Sequence, residues 1–142
     1  MSLTLLAAQT IVAATLAEAR SRSAKPLAVI VLDAGGHPVA FAREDGATMF
    51  RHDIARAKAV GALGMGDDTR VIAERARGNP AFFQSVTAVV GGNIAFSPGG
   101  VLIRHAGAII GAVGVSGDTG DCDEECAIVG LRAAGFNLEN AK

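Results

Sequence analysis

Few residues in this 142-residue chain can carry chemistry. Of the three histidines, His37 sits among turn formers (Gly35-Gly36-His37-Pro38) and reads as solvated. His105 falls at a strand end beside Ala106-Gly107, where it can face either way. His52 differs, because it lies in the first turns of a predicted helix, shortly after Arg43, Glu44 and Asp45. A neutral imidazole there can ligate a metal-bearing cofactor, or it can act as a base tuned by a carboxylate, with His52, Glu44 and Asp45 as the acid and base groups. The competing reading is a helix-surface imidazole beside Asp53. Cys122 and Cys126 share a helix face but are poorly placed for a disulfide. Their neighbours Asp121, Asp123, Glu124 and Glu125 add only hard oxygen donors, so the pair reads as small, partly buried residues.

These groups need elements to hold them. Thr4 or Ser2 can cap a first helix whose apolar stripe (Leu5, Leu6, Ile11, Val12, Leu16, Ala17) runs to about Arg22, and Lys25-Pro26 stops it. Leu27 to Leu32 is a short apolar run that reads as a buried strand. A turn through Asp33 to Pro38 returns the chain along Val39 to Arg43, giving an antiparallel hairpin. Glu44-Asp45-Gly46-Ala47 leads into a helix from about Thr48 to Leu63. Asp67, Asp68 and Thr69 can cap a further helix to about Arg77, and Gly78-Asn79-Pro80 breaks the chain. Ser85 to Val90 is compatible with helix or strand. Ile94-Ala95-Phe96 reads as a third strand before the Ser97-Pro98-Gly99-Gly100 turn.

The clearest signal is the second hairpin, where apolar residues run from Val101 through Ala106-Gly107 and resume to Val115. Gly111, Gly114 and Gly117 recur along its second strand, so a helix, another backbone or a ligand comes close there. The Ser116-Gly117-Asp118 loop opens a last helix from Asp121 to about Ala134, with acidic residues in its first turn. That loop could offer N–H groups to an anion, but Asp118, Asp121 and Asp123 would repel one, and capping is the simpler role. Hairpin connections imply an antiparallel sheet flanked by helices, in the α+β class.

Composition narrows the functions. The length suits one domain over residues 1–142. Half of the residues are hydrophobic, with no Trp or Tyr and six Phe, so the core is built from small aliphatic side chains. That much apolar content predicts an exposed patch and hence a homo-oligomer. The net charge of −1 and the lack of a Lys/Arg cluster give no footprint for nucleic acid. Met1 to Leu16 is apolar, but no cation precedes it and Gln9 and Thr10 interrupt it. It therefore reads as neither a secretion signal nor a membrane span, and a cytoplasmic protein is expected.

Four segments in this order resemble the GlcG/HbpS family of small haem-binding or haem-degrading-like domains, found also as the C-terminal domain of PduO-type proteins. They are Val29-Ile30-Val31-Leu32-Asp33-Ala34-Gly35-Gly36, Arg43-Glu44-Asp45-Gly46-Ala47, Ala55-Arg56-Ala57-Lys58-Ala59, and Pro98-Gly99-Gly100 with Gly111 to Gly117 and Asp123-Glu124. The resemblance implies a sheet of about five antiparallel strands with helices on its faces in a profilin-like or PAS-like arrangement, self-association, and a small-molecule ligand such as haem. Haem ligation by a histidine of the first helix does not carry over, because Leu3 to Arg22 contains none. With no Cys-x-x-Cys-His motif, any haem would be held non-covalently. In this reading His52 is the candidate iron ligand. Arg43 and Lys58, with the Pro98, Gly99 and Gly100 backbone, would bind a propionate or another small carboxylate. The other readings are a small enzyme acting on a carboxylated metabolite at a subunit interface and an accessory structural oligomer.

Overall fold

A computed structural model describes residues 3–138. Helix α1 (Leu5–Ser21) starts at Thr4, whose hydroxyl accepts from the Ala7 N–H at 3.0 Å; Ser2, the other expected cap, lies outside the described residues. Strands β1 (Ala28–Asp33) and β2 (Pro38–Arg43) form the first hairpin. Three helices follow, α2 (Phe50–Met65), α3 (Thr69–Gly78) and α4 (Pro80–Val89). Strands β3 (Gly100–His105) and β4 (Ala108–Ser116) form the second hairpin and α5 (Gly120–Ala133) closes the order. Ala106 and Gly107 both adopt positive φ, 50° and 81°, as a two-residue type I′ turn requires.

The strands make one antiparallel sheet in the order β2-β1-β4-β3. Its two faces follow from the alternation of side chains. Val29, Val31, Val101, Ile103, Val113 and Val115 meet α1 and α5 on one side. Ile30, Leu32, Leu102 and Ala112 meet the small residues Ala55, Ala59 and Ala62 of α2 on the other. A small third core, Ile72, Phe83 and Ile94, sits under α3 and α4.

The sheet has four strands among the described residues, against an expected five. Ile94-Ala95-Phe96 is not a strand. Ile94 is buried against Gly61 of α2, and the Phe96 ring stands edge-on to Phe83 at 5.7 Å, so side-chain packing under the helices holds this segment. The adjoining edge is also closed to it. The Gly100 and Leu102 N–H groups are donated to Thr69 Oγ1 at 2.8 Å and Asp68 Oδ1 at 2.9 Å. The ambiguous Ser85–Val90 stretch is the latter part of α4 and its C-cap, Val90. Among the described residues no helix is long and apolar enough to cross a membrane.

Candidate functional site

Lys58 is a buried residue on α2, and it organises the centre of the molecule. Its ammonium donates to the Val115 carbonyl at 2.8 Å and to Asp123 Oδ2 at 3.2 Å, joining α2, β4 and α5. Asp123 Oδ1 accepts from the Asp118 N–H at 3.0 Å. Burial pushes the lysine pKa down and the aspartate pKa up, since each loses water. The opposite charge alongside, together with the N–H donors of Asp118 and Gly117 on the aspartate, opposes that drift.

The glycine turn wraps this pair. A Cβ on Gly99 would lie 2.8 Å from Lys58 Nζ and 2.6 Å from the Val115 carbonyl oxygen, and one on Gly100 would lie 2.4 Å from the Lys58 carbonyl oxygen. Pro98 packs against Gly120 at the start of α5. The recess expected near Pro98, Gly99 and Gly100 is thus filled by Lys58 itself. The six residues read as ligand-binding do not share one pocket.

Arg43 and His52 lie elsewhere, where β2 faces the start of α2. Arg43 and Phe41 stand opposite Ala28 and Ile30, whose side chains belong to the α2 side of the sheet. His52 falls in the first turn of α2, and its ring meets Phe41 edge-on at 4.8 Å. The imidazole is 43% exposed, with Nδ1 3.8 Å from Asp53 Oδ1. Beside it Met49 and Phe50 are 72% and 64% exposed. Arg43 donates one guanidinium N–H to the Ala47 carbonyl. A borderline nitrogen donor against an aromatic ring, with a guanidinium on the same side of the sheet, suits a flat iron-bearing macrocycle with acidic side arms.

Glu44 is an anchor. Oε1 accepts from the Leu27 N–H at 2.8 Å and Oε2 pairs with Arg20 at 2.9 Å, fastening the hairpin to the end of α1. Asp45 is exposed and lines an open cleft of about 460 Å³ with Arg20, Pro26, Arg43 and Glu44. Among the described residues no hydrogen bond or ion pair joins His52 to Glu44 or Asp45. His37 is 80% exposed and lies beside Asp33, as a solvated turn histidine should. Cys126 is buried and its thiol is pushed up to about 12 by burial, while burial raises the Cys122 thiol as well; both are free. Thr119, and not Asp118, caps α5, its hydroxyl accepting from the Cys122 N–H at 3.2 Å; Asp118 instead tethers the loop, accepting from the Thr119 N–H at 2.7 Å and the Lys25 N–H at 2.8 Å.

Sequence reasoning did not single out Phe41, Asp123 or Asp68 for these roles. Phe41 reads as one more apolar strand residue, and Asp123 as one of several helix-start acids. Only the depth of Asp123 distinguishes it, and no local pattern encodes depth.

The model of the haem degrading protein HbpS-like family matches residues 3–132. The chain belongs to that family. Among solved structures, the HbpS-like chain is similar to HbpS, at 29% identity and a TM-score of 0.82 over 95% of this chain and 92% of that one. It is similar to the Klebsiella pneumoniae protein ORFY at 28% identity and a TM-score of 0.86, over 93% and 90% of the two chains. A PduOC:heme complex shares the fold, with a TM-score of 0.88 at 21% identity over 96% and 98%. No curated protein matches.

Proposed function

We propose that this HbpS-like chain is a binding protein for haem or a closely related tetrapyrrole, held non-covalently where β2 faces the start of α2. The observation that carries the reading is the His52 imidazole set edge-on against Phe41, at the start of a helix where Met49 and Phe50 are also exposed. His52 would hold the iron, Phe41, Met49 and Phe50 would cover the ring, and Arg43 would pair with a propionate. Bound haem would supply a redox-active iron; the chain's own contribution is an imidazole, an apolar face and one fixed cation. Family membership supports the reading, and a fold relative is a heme complex. Lys58 has no part in it, because its ammonium is consumed by Asp123 and Val115. The acid/base reading has less support, since both Glu44 oxygens are engaged and, among the described residues, no hydrogen bond or ion pair joins Asp45 to His52.

Hemin titration tests this directly. The wild-type chain should give a saturable Soret shift, and His52→Ala should weaken binding on the order of tenfold or more and move the band. Phe41→Ala should weaken binding and leave the band position of an imidazole-ligated iron in place. Wild-type and His52→Ala spectra that coincide would remove His52 as the ligand, and a wild-type titration that never saturates would remove the function.

A further inference from the structure

The chain's two cysteines stand one turn apart on α5, and the tetrapyrrole reading uses neither. Cys126 is fully buried in the core shared with α1, and Cys122 is partly buried at its rim. A spacing of four on one helix sets their Cβ atoms on the same face, about 5–6 Å apart. The sulfurs are neighbours: the Cys126 thiol donates to Cys122 Sγ, and Cys122 in turn reaches the Asp118 carboxylate. The end of α1 closes over them. Arg22 lies beside both thiols and pairs with Glu18 and Glu125, while the Lys25 N–H is tied to Asp118 at 2.8 Å.

Two chemistries join a pair of thiols, and the helix rules out one. A disulfide needs Cβ atoms about 3.5–4.5 Å apart, closer than an intact helical turn holds them. A metal ion between the same sulfurs needs more room, since two metal–sulfur bonds of about 2.3 Å in line span about 4.6 Å. A tetrahedral ion such as zinc would lack two further ligands, and among the described residues no group of three or more His, Cys, Asp and Glu is gathered to hold one. A two-coordinate ion lacks none. Thiolates select soft cations, of which Cu(I) and Ag(I) accept two sulfurs in line. The surroundings suit a cation as well. Burial keeps the protons on both sulfurs, so the empty pair is two neutral thiols and not a reactive anion. The carboxylates of Glu18, Asp118 and Asp123 act on the thiols against a single guanidinium, that of Arg22.

We propose that Cys122 and Cys126 form a two-coordinate site for a soft monovalent cation, Cu(I) above all, in the corner between the start of α5 and the end of α1. The partly exposed Cys122 meets the ion first, and Cys126 completes the pair one turn deeper. Binding exchanges protons for metal: each S–H bond breaks and its proton leaves to water, each sulfur gives its electron pair to the ion, and two Cu–S bonds form with copper unchanged in oxidation state. The bis-thiolate so formed carries one negative charge, which the Arg22 guanidinium offsets. Sulfur alone does the binding, so hard cations that favour the nearby carboxylates do not compete.

The experiment uses haem-free, reduced protein under inert gas, so its outcome is independent of whether hemin binds. Titrated against the Cu(I) complex of bicinchoninate, the wild type should take up one Cu(I) per chain and release two protons for each ion bound at neutral pH. X-ray absorption at the copper edge should find two sulfur neighbours. Cys122→Ala and Cys126→Ala should each weaken uptake by more than the roughly 10–100-fold that losing an outer-shell partner costs, because each removes one of only two ligands. Hemin titration of Cys122→Ala should match the wild type. Should Cys126→Ala fail to fold, Cys122→Ala, at the partly exposed position, decides with the wild-type spectrum. A wild type that takes no copper from the chelator overturns the proposal, as does a Cys122→Ala variant that binds as the wild type does. Half an ion per chain, with sulfurs of two chains sharing one copper, overturns it too.

Discussion

Lys58 and Asp123 form an ion pair that water does not reach, so removing one partner strands the other's charge. Lys58→Met should cost about 3–5 kcal/mol, the range for breaking a buried pair. Replacing both, as Lys58→Met with Asp123→Leu, should cost clearly less than the two single changes summed, because neither charge is then left behind. Urea denaturation of the four proteins in a double-mutant cycle measures this. Additive costs would show that the two side chains do not stabilise each other. The same pair marks a limit of the sequence: Lys58 reads as a cation for an external carboxylate, and the carboxylate it meets lies within the chain, 65 positions further on. No spacing rule joins positions so far apart. His52 was legible as a candidate because it opens a helix shortly after Glu44 and Asp45, and Arg43 because it lies in a segment of the family resemblance, yet the ring that meets His52 belongs to a strand residue read for its hydropathy alone.

Elements were easier to read than partners. The β3–β4 hairpin is legible because Ala106-Gly107 supplies a positive-φ pair between two apolar runs, and the α1 start because Thr4 can cap it. The failures share a cause: Ile94-Ala95-Phe96 has strand composition, but Phe83 and Gly61 claim its side chains, and tertiary packing overrides a local preference. The glycines of β4 were read as a place where something comes close, and for Gly114 that neighbour is α2. A Cβ there would lie 2.0 Å from the Ala55 carbonyl oxygen, a backbone atom with no room to retreat. Gly114→Ala should therefore push α2 off the sheet and destabilise the chain by about 1–3 kcal/mol or more, read as a lowered thermal midpoint. An unchanged midpoint would mean that the helix is not seated as described.

Across the whole molecule, stability should be uneven. Val29, Ile30, Val31, Leu102, Val113 and Val115 of the sheet are buried, on both its faces, whereas only Phe83 of α4 is buried and Val89 is 84% exposed. Backbone amides of α4 should exchange with deuterium well before those of β1 and β4, since few buried contacts hold that helix. Equal protection in the haem-free chain would show α4 to be covered by something outside this structure. The overall α+β architecture was legible, since hairpin turns and helix stripes each leave a local mark. The strand count was not, because the β3 edge is closed by Asp68 and Thr69, side chains that read as caps for α3.

The enclosure of Lys58 also bears on covalent labelling. Its amine sits behind Val115, Asp123 and the Gly99 backbone, whereas Lys25 stands in water. An acylating reagent therefore meets Lys25 at once and Lys58 only when α2, β4 and α5 come apart together. Modification of that one amine would count the occasions on which the centre of the protein opens.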